Sequence, residues 1–197
     1  MRTSTRLAVG LLAALAFAGG AGAAPVSYTL DPNHTLVLAS WNHFGFSNPF
    51  ATFSRVEGTL VYDADDVGAS SVRVTLPLAG LDGFSDKFDE HLRSADFFDA
   101  RKFPAATFRS TEVEASGAGR LRVTGELTIK DITRPVVLEV TLNKAGERGG
   151  RPALGFDASA TIRRSDFGLG LYAPNVSDEV TLRITTEARG PEPATAG

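Results

Sequence analysis

Three histidines, His34, His43 and His91, and two arginines in short polar strings, Arg93-Ser94 and Arg164-Ser165-Asp166, are the side chains in this sequence best suited to polar chemistry. The histidines show no close metal-ligand spacing, so a metal site would have to assemble from distant segments, and none is assigned. The acidic run Asp63-Ala64-Asp65-Asp66-Val67-Gly68 opens like a calcium loop but places Val74 at the twelfth position, where such a loop needs a glutamate. GxSxG, P-loop, GxGxxG and HExxH patterns are absent. The chain has no cysteine, which excludes thiol chemistry and disulfides. No catalytic residue, metal or cofactor is assigned. Each arginine has two readings, a ligand for a phosphate or phenol oxygen and a tie between loops.

The elements that must position these residues are strands. Apolar and polar residues alternate in many short runs, the period-2 signature of a sheet with one buried face. One run begins at His34, with Thr35, Val37, Ala39 and Trp41 on one face, and another carries Val56, Gly58, Leu60 and Tyr62. Val72, Val74 and Leu76 follow, ending at Pro77. Alternation is less clear from Thr107 to Glu112 and clearest at Leu121, Val123, Leu127 and Ile129, then at Val136, Leu138, Val140 and Leu142. These last two runs should form a hairpin with a connection from Asp131 to Arg134 and Pro135 as the first residue of the second strand. Phe156, Ala158, Ala160 and Ile162, then Val180, Leu182 and Ile184, complete about eight strands. Asp86 to Ser94 instead puts Phe88, His91 and Leu92 at helical spacing, with Ser85 as an N-cap. Loops are expected at Asp63 to Ala69, Ser116 to Gly119, Gly146 to Pro152 and Ala173 to Ser177. Many antiparallel strands and no repeated strand–helix alternation leave a sandwich or a barrel, which periodicity does not separate.

At the N-terminus, Arg2 and Arg6 precede an apolar stretch from Leu7 to Ala18 and a small-residue segment ending in Ala21-Gly22-Ala23. This reads as a signal peptide, residues 1–23, too short to span a bilayer. The mature protein is expected to be soluble, periplasmic or secreted, with one domain from 24 to 189 and a disordered tail from 190 to 197. The net charge of −3, with both signs interspersed, disfavours a nucleic-acid partner. The sequons Asn33-His34-Thr35 and Asn175-Val176-Ser177 would matter only in a eukaryotic secretory pathway.

Several strings outside the strand periodicity fall into a recognisable order: Leu30-Asp31-Pro32-Asn33-His34-Thr35, Asn42-His43-Phe44-Gly45-Phe46-Ser47, Glu57 to Asp63, His91 to Asp99, Phe103 to Phe108, Gly125 to Ile129, Thr133 to Val136 and Arg164 to Gly168. Together they resemble the YceI-like family over nearly all of residues 28–189. The resemblance implies an exported bacterial protein with an antiparallel, lipocalin-like barrel that binds polyisoprenoid or related long apolar ligands. The barrel would shield the tail, because each methylene kept out of water contributes roughly 0.8 kcal/mol. Two departures are Thr35, where the family usually has serine, and Ala51, where a glycine is common, next to the turn signal Asn48-Pro49.

On this reading, Phe44, Phe46, Phe50 and Phe53 are expected as wall or lid, since they crowd a Gly- and Pro-containing segment read as irregular. His43, which matches a family motif histidine, is the first choice for the lipid head group, followed by Arg93 and Arg164. His34 is expected to fix the turn that precedes it. The expected function is non-catalytic carriage or sequestration of an isoprenoid or other long-chain lipid, a quinone or its precursor among the candidates. The alternatives are a protein-interaction module of the same fold and an enzyme acting on a lipid head group. The sequence leaves the oligomeric state open, a dimer included.

Overall fold

Alternating burial runs through nearly every stretch with strand patterning, and antiparallel ladders join these stretches into one sheet. The computed structural model describes residues 24–193, so the expected signal segment 1–23 and residues 194–197 of the expected tail lie outside it. In chain order the strands are β1 (Val26–Leu30), β2 (Leu36–Ser40), β3 (Phe50–Phe53), β4 (Glu57–Tyr62), β5 (Ser71–Pro77), β6 (Leu81–Asp82), β7 (Ala105–Gly117), β8 (Arg120–Ile129), β9 (Ile132–Arg148), β10 (Arg151–Arg163) and β11 (Glu179–Arg189). One α-helix, α1 (Asp86–Arg93), follows β6.

Strands β1 and β2 lie end to end along β11, with Thr29 opposite Arg189 and Val37 opposite Ile184. In the same way β4 and β3 lie along β1 and β2, and β5 and β6 along β4 and β3. The three broken staves and the continuous strands β7 to β11 make eight, and pairing of β1 with both β4 and β11 closes the barrel. This is the expected all-β, antiparallel barrel with a short helix, and closure leaves only the two-residue β6 paired on one side.

The breaks have local causes. Between β1 and β2 the buried Asp31 carboxylate accepts the Asn33 N–H at 3.0 Å, His34 Nδ1 at 3.0 Å and the Arg189 guanidinium at 2.7 Å. Asp31, His34 and Glu187 converge here within 4.8 Å, but Arg189 and Arg148 pair with the two carboxylates, making the group an ion-pair clasp. The break between β3 and β4 touches the one between β5 and β6, where the Ser54 N–H donates to Gly80 O at 2.9 Å. A Cβ at position 80 would stand 2.1 Å from the Ser54 carbonyl oxygen, so only glycine lets the two bends meet.

Three local expectations need correction. The β8–β9 turn is Lys130-Asp131, with Lys130 at φ 59°, so Pro135 lies inside β9 opposite Glu126 and does not start the strand. A two-residue turn closes the hairpin earlier than the proline suggested, and the unusual φ falls on a residue type that does not announce it. Ser85 occupies the N-cap of α1 but its hydroxyl makes no capping bond; Asp89 instead accepts the Gly83 N–H at 2.6 Å. Finally, Phe50 to Phe53 is the regular strand β3, not an irregular segment.

The barrel interior is divided along its axis. At the end carrying the β4–β5, β7–β8 and β9–β10 turns, Tyr28, Phe108, Leu121, Leu154 and Phe156 fill it, with Tyr62 edge-on to Phe156 at 6.2 Å. At the other end, where the β2–β3 loop, α1 and the β10–β11 loop gather, the inward positions include Ala39, Ala51 and Ala106, and the space stays open.

Candidate functional site

Small inward side chains on β2, β3 and β7 leave a cavity of about 380 Å³ under α1, within the range of sites for small apolar ligands. The walls are aliphatic, from Val37 and Ala39 on β2 to Val180 and Leu182 on β11. Aromatic rings narrow its top: Trp41 lies 5.9 Å from Phe88, Phe53 is edge-on to Phe98 at 5.9 Å, and His91 is edge-on to Phe97 at 4.8 Å. Helix α1 presents Phe88, His91 and Leu92 to the cavity, the face that its helical spacing marks out.

Polar atoms are few in this wall. His43 sits in the β2–β3 loop, where its backbone N–H donates to Ser47 O at 2.9 Å and its ring is edge-on to Phe44 at 4.8 Å. Among the described residues, neither the His43 nor the His91 imidazole has a hydrogen-bond partner, so each is free to bond a ligand oxygen. Arg164 lines the cavity too, only 7 % exposed, but its guanidinium faces the β10–β11 loop. It donates to the carbonyls of Ser177 at 2.9 Å, Leu171 at 2.8 Å and Val176 at 2.8 Å, and also to that of Leu169. Burial lowers its pKa from the ordinary arginine value, while the charge of Asp178 acts the other way. Among the described residues no serine, threonine or carboxylate lines the cavity.

Of the residues expected at a ligand site, the cavity brings together His43, Phe53 and Arg164. It does not include the other four. Phe50 is in β3 but points outward, because Ala51 and Phe53 take the inward phase; it packs edge-on to Phe84 at 5.2 Å. Phe44 and Phe46 stand exposed on the β2–β3 loop. Arg93 ties α1 to the β5–β6 bend by donating to the carbonyls of Leu78, at 3.2 Å, and Leu81. The departure at Ala51 adds a methyl to the cavity wall, within β3, and leaves the entrance loop itself to Trp41 through Pro49. The sequence marks Ala173 to Ser177 only as a loop and gives no sign of a ligand role for Leu169, Leu171, Tyr172 or Val176, all of which line the cavity. They have no period to betray their direction.

The β10–β11 loop is also held by Asp178, which accepts Ser165 Oγ at 2.7 Å, the Ser165 N–H at 2.8 Å and Arg163 Nε at 3.1 Å. The Ser165 hydroxyl, chiefly, and then the other donors hold the Asp178 carboxyl below its usual range, as His34 first and Arg189 among others do for Asp31. Both carboxyls therefore favour the folded state when ionised, above the unfolded value of about 4, and that contribution is lost as the pH falls through their folded values. Thermal melts between pH 7 and pH 2 should show a melting temperature that declines below about pH 4. The decline should be shallower in Asp178→Asn; equal slopes would mean that Asp178 is not linked to folding.

A family model described as the YceI-like domain matches residues 28–188. Protein YceI of Escherichia coli O6:H1 is 38% identical over 172 residues, covering 86% of this chain and 89% of that protein. A UPF0312 protein of Enterobacter sp. (strain 638) is 38% identical over 92% of this chain and 94% of its own length. Among solved structures, BcnA of Burkholderia cenocepacia superimposes with a TM-score of 0.72 at 25% identity, over 80% of this chain and 98% of that one. A polyisoprenoid binding domain from Saccharophagus degradans shares the fold with a TM-score of 0.63 at 13% identity, over 84% of this chain and 99% of that one.

Proposed function

Because this chain belongs to the YceI-like family and keeps an apolar cavity open inside its barrel, we propose that it is an exported, non-catalytic carrier of an isoprenoid or other long-chain lipid. The observation that carries this reading is the wall of the cavity: aliphatic and aromatic side chains surround about 380 Å³, and its unbonded polar groups include the His43 and His91 imidazoles. Such a site stabilises a hydrocarbon tail by removing it from water and offers the head group one or two hydrogen bonds. The Saccharophagus degradans domain, described as polyisoprenoid binding, supports the same ligand class. A protein-interaction module would need no internal void, and an enzyme acting on the head group would show turnover that His43→Ala abolishes. A quinone or its precursor fits the site chemistry, since its ring oxygens would meet His43 and His91 while the prenyl tail runs down toward Ala106 and Leu127. Export rests on the N-terminal signal segment.

Organic extraction of the purified mature protein, followed by mass spectrometry, tests the proposal. A long apolar molecule at near-stoichiometric yield is expected, and delipidated protein should bind prenyl alcohols more tightly with each added isoprene unit until the cavity is full. Absence of any retained lipid, together with no affinity for a prenyl probe, would overturn it.

A further inference from the structure

Seven large apolar side chains are exposed among the described residues, and six of them lie around the mouth of the cavity: Phe44 and Phe46 on the β2–β3 loop with Phe50 at the start of β3, then Phe84 between β6 and α1, then Leu171 and Tyr172 on the β10–β11 loop. Only Leu36, on β2, lies elsewhere. A monomer's surface scatters such residues singly; a cluster concentrated at one end marks a site of contact. Phe46 is 92% exposed and Phe84 62%, so neither contributes to the core.

The backbone adds an independent observation. Phe44, Phe84 and Tyr172 have φ of 53°, 64° and 68°, and they account for three of the six non-glycine residues with positive φ among the described residues. Bulky side chains are rarely held in that region; here the Phe44 and Phe84 rings stand exposed, while the half-exposed Tyr172 ring sits at the mouth beside His91 and Phe97. Charge points the same way. Residues 41–54 and 167–177 contain no Asp, Glu, Lys or Arg in a chain that is 22% charged. The Phe84 tip lies between Asp82 and Asp86, and one Asp82 oxygen accepts the Phe84 N–H at 2.7 Å.

We propose that this rim docks the barrel, mouth first, on the surface of a lipid bilayer and inserts its aromatic tips among the headgroups and upper acyl chains. Charge-free loops carrying Phe and Tyr match that boundary: they lose little on leaving water, and aromatic rings are favoured there. The geometry also suits the cargo of the proposed function, on which the inference rests: a lipid leaving a bilayer would enter the cavity without crossing water. A second copy of the chain is the competing occupant. With acidic residues flanking the Phe84 tip and no lysine or arginine in the other two loops, attachment is driven by apolar insertion and not by attraction to anionic lipid.

Flotation of the purified mature protein with phosphatidylcholine vesicles, and with vesicles containing phosphatidylglycerol, tests the proposal. Binding is expected on both, no stronger on the anionic vesicles and undiminished by high salt. Phe46→Ser should weaken it roughly tenfold, and Phe46→Ser with Phe84→Ser on the order of a hundredfold, with melting temperature and extracted lipid unchanged. Absence of flotation, binding confined to anionic vesicles and abolished by salt, or a dimer in sedimentation that the same substitutions dissociate would each overturn it. Lipid extraction separates the two ideas: protein that retains lipid but never floats sinks the docking surface alone, whereas protein that floats but retains none sinks the carrier reading.

Discussion

Leucine at both Ala39 and Ala51 should abolish lipid retention while leaving the barrel folded. The two alanines are cross-strand partners on β2 and β3, both face the cavity, and Ala51 is 2% exposed. The pair of substitutions fills the space with about six extra carbons, each displacing roughly one methylene of bound lipid at about 0.8 kcal/mol. A loss of about 5 kcal/mol corresponds to more than a thousandfold in Kd. Because the added groups enter a void and not a packed layer, the melting temperature should hold or rise. Ala39→Leu alone should show the same sign at about half the free energy. Titration of delipidated protein with a fluorescent prenyl probe reads the effect. Unchanged affinity in the folded double variant would move the cargo out of the barrel.

The parts of the fold legible in advance are those where one period runs unbroken. β8 buries Leu121, Val123, Leu127 and Ile129 at every second position, and β10 follows the same rule through Phe156 and Ala160. β7 reads poorly for a physical reason: a bulge between Ser110 and Glu112 shifts the register, so the inward set changes from Ala106, Phe108 and Ser110 to Val113. The three broken staves fall short of a clean strand count: the turn at Asp31 shows in Asp31-Pro32-Asn33 and is held by local bonds, but no local pattern displays the positive φ of Arg55 or the close approach at Gly80.

The site divides along the same line. Phe53 lies inside because β3 gives it a phase, and Phe50 lies outside by the same phase, which the segment's loop-like composition concealed. Phe44 and Phe46 sit on backbone without a period, and positive φ at Phe44 decides where its ring goes. These residues stand on the outer rim of the mouth and not in the cavity wall, where the apolar surface they leave exposed needs a covering and the cavity does not supply one.

Arg164 was open to two readings, and its replacement by methionine separates them. As a loop tie, its guanidinium supplies the donors for the carbonyls of Leu169, Leu171, Val176 and Ser177, and these hold the β10–β11 loop over the cavity. Methionine keeps the bulk and the apolar stem but leaves those acceptors without a donor in a place water reaches poorly, costing roughly 4 kcal/mol. For a domain of this size the melting temperature should fall by about 10 °C or more. Lysine should rescue little, since one ammonium does not reproduce a planar fork aimed at four carbonyls. Hydrogen exchange should rise at the Val176 and Ser177 amides, which bond to Tyr172 O and Asn42 O and depend on the loop's position. Arg164→Met that melts like wild type while its lipid affinity collapses would assign the guanidinium to the head group. A lower melting temperature in delipidated protein, where no head group is present to be lost, would assign it to the loop.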